Sequence, residues 1–382
     1  MSSLPSRMKA ITATGTKAHL STLPIPTLTK PTDILVRVAA IALNPTDWKH
    51  IAFSISQPNS IAGCDFAGTV ISLGSGVTKA LEVGDRVAGA VHGGKTGCGS
   101  FAEYCLANGD LVVKIPDELS FEKAATFPLG VATVGQGLFQ QGLKLPLPSL
   151  SADVGDIGKQ DAGEWVLVYG GSTATGSLAI QFAKLSGHRV LTTCSPANFS
   201  FVKSLGADEV FDYSLPSIGQ QINRFTEDSL KLVFDTIGSE ESATICAQAM
   251  CSKSEIEGKR YATIIGPPAA FEDQGSVNVE VVVTMMYTIF GEDMLYFGSE
   301  VPAVPADLEF GEKWMGLVEG LLREGIFKTH PEKVGEKGLE GALQGMLDMR
   351  DEKVRAVKLV YRVAETPAYS MAEMELGEED ET

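Results

Sequence analysis

What this 382-residue sequence lacks narrows its function before any motif does. It has no long hydrophobic run. The most apolar late stretch, VVVTMMYTIF (281–290), is ten residues with two threonines, too short to span a bilayer. The opening MSSLPSRMKAITATGTKAHL has no apolar core of the signal-peptide type. Cysteine is sparse: Cys64, Cys98, Cys105, Cys194, Cys246 and Cys251 are too scattered for a disulfide framework, which gives a reduced, cytoplasmic setting as the expectation. A basic stripe is missing too. With 48 acidic against 31 basic residues and a net charge of −17, the chain offers phosphate backbones no counter-charge, and nucleic acid is not expected as a partner.

What is there reads as a globular protein of more than one domain. Apolar residues make up 44% and charged residues 21%, and the length exceeds one ordinary core. Up to about residue 130, β-branched runs alternate with turn signals. ILVRVAAIAL is followed by Asn-Pro, GTVISLG by SGVT, and VGDRVAGAV by HGGKTGCGS, a pattern that predicts a compact β-rich domain. From about residue 164 the pattern changes to EWVLVYG, SLAIQFAKLSG, HRVLTTC, NFSFVKSLGA and DEVFDY, strand and helix in turn. LKLVFDTIG and YATIIGPP add two more strands, so α/β with a parallel sheet and crossover helices is the expected class. Residues 143–164, rich in Pro, Asp, Gly and Ser, read as a long surface loop or linker. The tail 372–382, with six acids in eleven residues, reads as a solvated, disordered end.

The chemistry begins at YGGSTATGSLAIQ (169–181). Gly170, Gly171 and Gly176 follow a strand and open a helix whose Leu178, Phe182 and Leu185 share a face. A helix N-terminus with free N–H groups suits a pyrophosphate, and Ser172, Thr173 and Thr175 add hydroxyls. A tight strand-to-helix turn explains the same glycines, so the loop alone decides nothing. The next strand adds weight. An acid about twenty residues beyond such a loop holds the ribose 2′-hydroxyl of NAD. Here the strand ends in TTCSPANF, with Ser195 and Asn198 as neutral donors and Lys203 a helical turn on, while Tyr213 closes the third strand. A carboxylate would repel a 2′-phosphate and neutral donors near a lysine would accept one, so NADPH is the expected cofactor. Ser195 as a simple cap for the helix beginning after Pro196 fits equally well.

Across nearly its whole length the sequence resembles the medium-chain dehydrogenase/reductase superfamily. The marks are NPTDWK (44–49), AGCDFAGTVISLGSGV (62–77), VGDRVAG (83–89), GSFAEY (99–104), IPDELSFEKAATFPLGVATVGQGL (115–138) and LGADEVFDY (205–213). The resemblance implies a GroES-like catalytic domain over 1–137, a Rossmann cofactor domain over 138–300, a return to the catalytic domain over 301–366, and the tail 367–382. Many members carry catalytic zinc. Here Asn44 and Pro45 stand where such enzymes have a ligand cysteine, and Cys64-Asp65 where they have His-Glu; Cys98 and Cys105 alone remain of a four-cysteine lobe. No complete ligand set remains, so no metal is expected, and Cys64 reads as a buried small hydrophobe.

Within the zinc-independent branch, VLVYGGSTATGS, TCSPANF and GADEVFDY, with the insertion before the first Rossmann strand, resemble the fungal trans-acting enoyl reductases. That implies reduction of a carrier-bound α,β-unsaturated thioester with a polyketide synthase as partner. It further implies Lys49 as the catalytic candidate, by contact with the cofactor ribose or nicotinamide, by stabilising charge or by supplying a proton, although an exposed lysine explains the residue as well, with Thr46, Asp47 and Trp48 on the same cofactor-contacting loop. Ser172, Thr173, Ala174 and Thr175 would hold the pyrophosphate, and Ser195, Pro196, Ala197, Asn198 and Tyr213 the adenosine 2′-phosphate end. Ile265 and Gly266 would flank the nicotinamide, and Val357 and Lys358 would close the cleft. An acyl pocket is implied from Ala132, Thr133, Val134, Gly135, Gln136, Gly137, Leu138 and Phe139, and from Thr284, Met285, Met286, Tyr287 and Thr288, although such a lining is also ordinary core. His19, His50, His92, His188 and His330 form no recognisable pair, and none is given chemistry. Asp235 in VFDTIG reads as a structural hydrogen-bonder. A stand-alone quinone or alkenal reductase and a non-catalytic binding member of the superfamily remain as alternatives.

Overall fold

The computed structural model describes residues 4–149, 163–266, 269–271, 278–368 and 372–376. Its contacts divide the chain into two compact units. One comprises Met1–Leu129, Tyr287–Arg323 and Thr329–Thr382, the other Gly130–Met286 with Glu324–Lys328.

The first unit is built on the β-rich segments. Asp33–Ala42 is its central strand, pairing antiparallel with Asp65–Leu73, with Tyr104–Asn108 and with Lys358–Arg362. Most of its residues are buried, so it is covered on both faces, and its near-continuous apolar run follows from that. A four-stranded sheet carries Arg7–Thr14 and Lys17–Pro24. Chain crowding dictates one glycine here: Gly63 has φ +89°, and a Cβ on it would sit 2.0 Å from the Phe101 ring. The C-terminal return adds the helix Gly338–Arg350. Its Leu339, Ala342, Leu343 and Met346 recur at helical spacing and all enter this core.

The second unit is a six-stranded parallel sheet. Its strands run in the spatial order Glu209–Phe211, Arg189–Thr193, Trp165–Tyr169, Leu232–Asp235, Lys259–Thr263, Val279–Val283. Numbered along the chain this is 3-2-1-4-5-6, the doubly wound order in which ligands bind beyond the carboxyl ends of the strands, where the order reverses. The reversal lies between Trp165–Tyr169 and Leu232–Asp235, so the glycine turn at 170 stands at the switch point.

Three expectations differ from the structure. The units part at Leu129/Gly130 and at Met286/Tyr287, not after residues 137 and 300, because Tyr287 makes its contacts in the first unit. Of the loop expected over 143–164, residues 150–162 lie outside the described residues, while Leu143 and Leu145 are buried and belong to a core. The tail expected to be disordered over 367–382 contains a strand, Glu373–Glu375, antiparallel to Lys17–Pro24. Its acids alternate outward toward Lys17 while Met374 and Leu376 point into the core, so charge density alone misjudged a two-residue period. Residues 369–371 and 377–382 lie outside the described residues.

Because Leu376 is fully buried and its N–H donates to Thr16 O at 2.8 Å, Leu376→Ala is expected to lower unfolding stability. The loss should be roughly 2 kcal/mol, the lower end for such a truncation because a chain end can relax, and urea titration would read it.

Candidate functional site

In the second unit the glycine turn is set by contact, not only by backbone freedom. Gly170 has φ +83°, a Cβ on Gly171 would lie 2.0 Å from Thr192 Oγ1, and one on Gly176 would lie 2.2 Å from Gly170 O. The three glycines therefore let the helix Ala174–Leu185 start hard against the sheet. Thr173 caps that helix, its Oγ1 accepting from Gly176 N at 2.9 Å, and it lies 3.1 Å from Thr236 Oγ1. Ser172, Thr173, Ala174 and Thr175 are half-buried around the helix start, an arrangement that can hold a pyrophosphate.

At the end of the neighbouring strand, Asn198 Nδ2 donates to Ser195 Oγ at 3.2 Å, and Pro196 and Ala197 are exposed. Ser195 Oγ makes no capping bond to the following turn, so the simple cap is not what the structure shows. Lys203 points elsewhere: it is exposed and pairs with Glu209 at 3.8 Å. Tyr213 is exposed on the rim of an open groove of about 460 Å³, whose lining includes Glu240 and Glu241 and so disfavours an anion. Ile265 and Gly266 are exposed just beyond the carboxyl end of Lys259–Thr263, on the same edge as the glycine turn. Asp235 accepts from Ile237 N, Gly238 N, Ser242 Oγ and Tyr261 OH, which makes it the structural hydrogen-bonder expected of it.

The residues Ala132 to Phe139 are all buried, and a Cβ on Gly137 would meet the Phe234 ring at 2.6 Å. They pack as core, the ordinary explanation of such a run. The second acyl segment is split: Thr284 donates its hydroxyl to Thr263 O and belongs with Met285 and Met286 to the second unit, while Tyr287 and Thr288 belong to the first. Thr288 donates to Asp307.

In the first unit the helix Pro45–Ala52 carries the loop residues. Pro45 stands at its first position and Asp47 Oδ2 accepts from Asn44 N at 2.7 Å, closing its N-terminus. Thr46, Lys49 and His50 fall at i, i+3 and i+4, so they share a face. Lys49 is half-buried, 5.7 Å from the centre of the Trp48 ring, and no carboxylate among the described residues forms an ion pair with it. Burial pushes its ammonium pKa down.

Asp65, fully buried, is the hub beneath this helix. Its Oδ2 accepts from Lys358 Nζ at 2.5 Å and from Asn44 Nδ2 at 2.9 Å, and its Oδ1 accepts from Leu129 N at 2.7 Å. Lys358 also donates to Thr126 O at 3.2 Å. This corrects the expectation for Lys358: it is 4% exposed and committed to Asp65, while Val357 beside it is half-buried. Where a zinc ion would need ligands, the carboxylate thus already carries an ammonium and two amide donors. Among the described residues no three His, Cys, Asp or Glu side chains converge to hold a metal, so this donor set does not fit zinc.

The pattern missed one group entirely. His50 and His92, unpaired in sequence, have ring centres 5.8 Å apart, and each Nδ1 lies 3.2 Å from the same Gly93 carbonyl. Tyr287 completes the group, its ring 4.3 Å from His92 and its hydroxyl 2.5 Å from Thr46 Oγ1 and 3.4 Å from His50 Nε2. Cys64, buried as expected, has Sγ 3.9 Å from the same hydroxyl. Nothing in sequence spacing joins positions 50, 92 and 287. The only signal was an apolar run, 281–290, with a single tyrosine in it.

Comparison with known proteins follows these boundaries. Residues 30–117 match the alcohol dehydrogenase GroES-like domain, and residues 174–253 match a family described as zinc-binding dehydrogenase. The trans-enoyl reductase resD of Aspergillus sclerotiorum is 42% identical over 369 residues, covering 93% of this chain and 100% of the relative. The trans-enoyl reductase ACTTS2 of Alternaria alternata is 41% identical, covering 91% and 96%. In fold, the chain is similar to an alcohol dehydrogenase superfamily protein from Novosphingobium aromaticivorans, with a TM-score of 0.73 at 22% identity over 93% of this chain and 99% of that one.

Two outcomes are expected from this network. Asp65→Asn removes the counter-charge of a buried ammonium and should cost roughly 3–5 kcal/mol in denaturant unfolding. Burial also pushes the Asp47 carboxyl up to about 7 from 3.8, against the hydrogen bond from Asn44. Between those values the folded chain keeps a proton that the unfolded chain has released, so this carboxyl costs stability progressively as pH rises through the window. Asp47→Asn should therefore gain on the unmodified protein, by on the order of 1–3 kcal/mol between about pH 5 and 7.5, in paired denaturation curves.

Proposed function

The chain belongs to the trans-enoyl reductase family of the medium-chain dehydrogenase/reductase superfamily, and on that premise we propose that it reduces the α,β-double bond of an enoyl thioester carried by a partner polyketide synthase, using NADPH, in secondary-metabolite biosynthesis. The observation that carries this reading is the likeness to named trans-enoyl reductases over essentially their full lengths. The reading places the protein in the cytoplasm. No helix among the described residues is long and apolar enough to cross a membrane.

NADPH, when bound, supplies the hydride that reaches the β-carbon of the substrate. This chain's residues do the rest. The glycine turn and the Thr173-capped helix would hold the pyrophosphate, with Ser172, Ala174 and Thr175 around it. Ser195 and Asn198, neutral and joined to each other, support the phosphorylated cofactor over NADH, with Pro196 and Ala197 between them in the chain. Ile265 and Gly266, exposed on the same sheet edge, would border the nicotinamide. As the β-carbon is reduced, negative charge develops on the thioester oxygen. Lys49, half-buried and free of any carboxylate partner among the described residues, is the group that would stabilise it, with Thr46 and Trp48 alongside. Met285 and Met286 would border the acyl chain.

The test follows NADPH absorbance with crotonyl and longer enoyl thioesters of CoA or pantetheine, with free quinones and enals run beside them. Oxidation with the thioesters, and slower oxidation of NADH, is the expected result. Turnover of quinones or enals alone would assign the protein to the stand-alone reductases. Lys49→Met should lower kcat/KM for the thioester roughly 10²–10³-fold, consistent with removal of one donor at a developing oxyanion.

A further inference from the structure

Conjugate reduction is finished by a proton on the α-carbon, and the reading above names no group that gives it. We propose that Thr46 delivers this proton and that Tyr287 recharges it, with His50 and His92 holding the phenol in place. The inference rests on the enoyl-reductase reading and adds the acid half of the reaction to it.

The geometry points to a relay because the three groups touch in succession, Thr46 half-buried and Tyr287 and His50 buried behind it. Thr46 is half-buried on the face of Pro45–Ala52 that also carries Lys49, so ammonium and hydroxyl stand one helical turn apart. Tyr287 is 7% exposed, and its shortest polar contact is Thr46 Oγ1 at 2.5 Å. Behind it lies His50 Nε2 at 3.4 Å. The tautomer follows from the other end of that ring. His50 Nδ1 faces the Gly93 carbonyl, which can only accept, so Nδ1 carries the hydrogen and Nε2 is open toward the phenol. His92 takes the second lone pair of the same carbonyl and lays its ring against Tyr287, which fixes the phenol in place.

A threonine hydroxyl alone is a poor acid. Coupled to a phenol it need not carry charge, because it gains one proton as it gives the other. Burial raises the phenol of Tyr287, so it is protonated and ready at neutral pH. Burial, and His92 after it, push His50 down to about 4, so the imidazole rests neutral. The step balances. The electron pair of the enolate forms the new Cα–H bond with the proton from Thr46 Oγ1, Thr46 takes the phenolic proton of Tyr287, and one proton from solvent restores the phenol. One solvent proton is consumed per hydride transferred. The two electrons come from the dihydronicotinamide, which is oxidised as the double bond is reduced.

The experiment is a single turnover of the full chain in D₂O with NADPH and crotonyl-pantetheine. NADPH oxidation, the solvent isotope effect and the face of the deuterium at the α-carbon are read together. The unmodified protein is expected to place deuterium on one face. Tyr287→Phe keeps the ring against His92 but not the hydroxyl. It should slow turnover about 10²-fold or more and scramble the label between faces as water takes over. NADPH affinity should stay within about threefold, since a relay acts only in the transition state. Thr46→Val should likewise slow turnover and scramble the label, and Thr46→Ser should restore both rate and face, which a purely structural role would not produce. If Tyr287→Phe unfolds, the two Thr46 variants decide alone. Single-face labelling at near-normal rate in Tyr287→Phe, or in Thr46→Val, overturns the relay while leaving the enoyl-reductase reading intact. No thioester-dependent oxidation by the unmodified protein overturns the reading and the relay with it.

Discussion

The ion pair between Asp65 and Lys358 is the constraint on which the first unit turns. It joins positions 293 residues apart and buries both charges almost completely. Such a pair is not a source of net stability, since desolvating two charges costs about what their attraction returns. Its value lies in specificity. Only when the strand Lys358–Arg362 is docked on Asp33–Ala42 in the correct register does the ammonium reach the carboxylate, and only then is neither charge stranded. Asn44 and Leu129 complete the carboxylate from two further segments. One side chain therefore fixes the start of the helix Pro45–Ala52, and with it the placement of Thr46, Lys49 and His50.

In the second unit the corresponding constraint is close approach. Three glycines bring the helix Ala174–Leu185 to the sheet with no room for a single methyl group, and the capping hydroxyl of Thr173 sets its start. A charged network organises one unit and a steric one the other. On the proposed roles, a helix end that receives an anion needs open N–H groups, whereas a helix that presents a cation and a proton donor needs a fixed orientation.

Much of this was legible. The turn-bounded β-branched runs before residue 130, the strand–helix alternation after 164, and the glycine turn all map onto observed elements, because each is dictated by neighbours within a few residues. The tail was misread for a local reason: its acids outnumber its apolar residues, yet Met374 and Leu376 alternate with them and dock. The buried run at 132–139 was open to two explanations in sequence, and it packs as core. Lys358 looked like a cofactor ligand because nothing near it in sequence reveals Asp65.

The sequence by itself determined the two-part architecture, the alternation of strand and helix in the second unit, and the turn chemistry around Asn44 and Pro45, since hydrophobic period and turn signals are properties of short segments. Only the tertiary structure decided that His50, His92 and Tyr287 would meet at one carbonyl and one hydroxyl, and that Asp65 would hold an ammonium. Those contacts join residues 42 to 293 positions apart. A pairing of that kind has no period to read; it exists only once two sheets and a returning helix have closed around it.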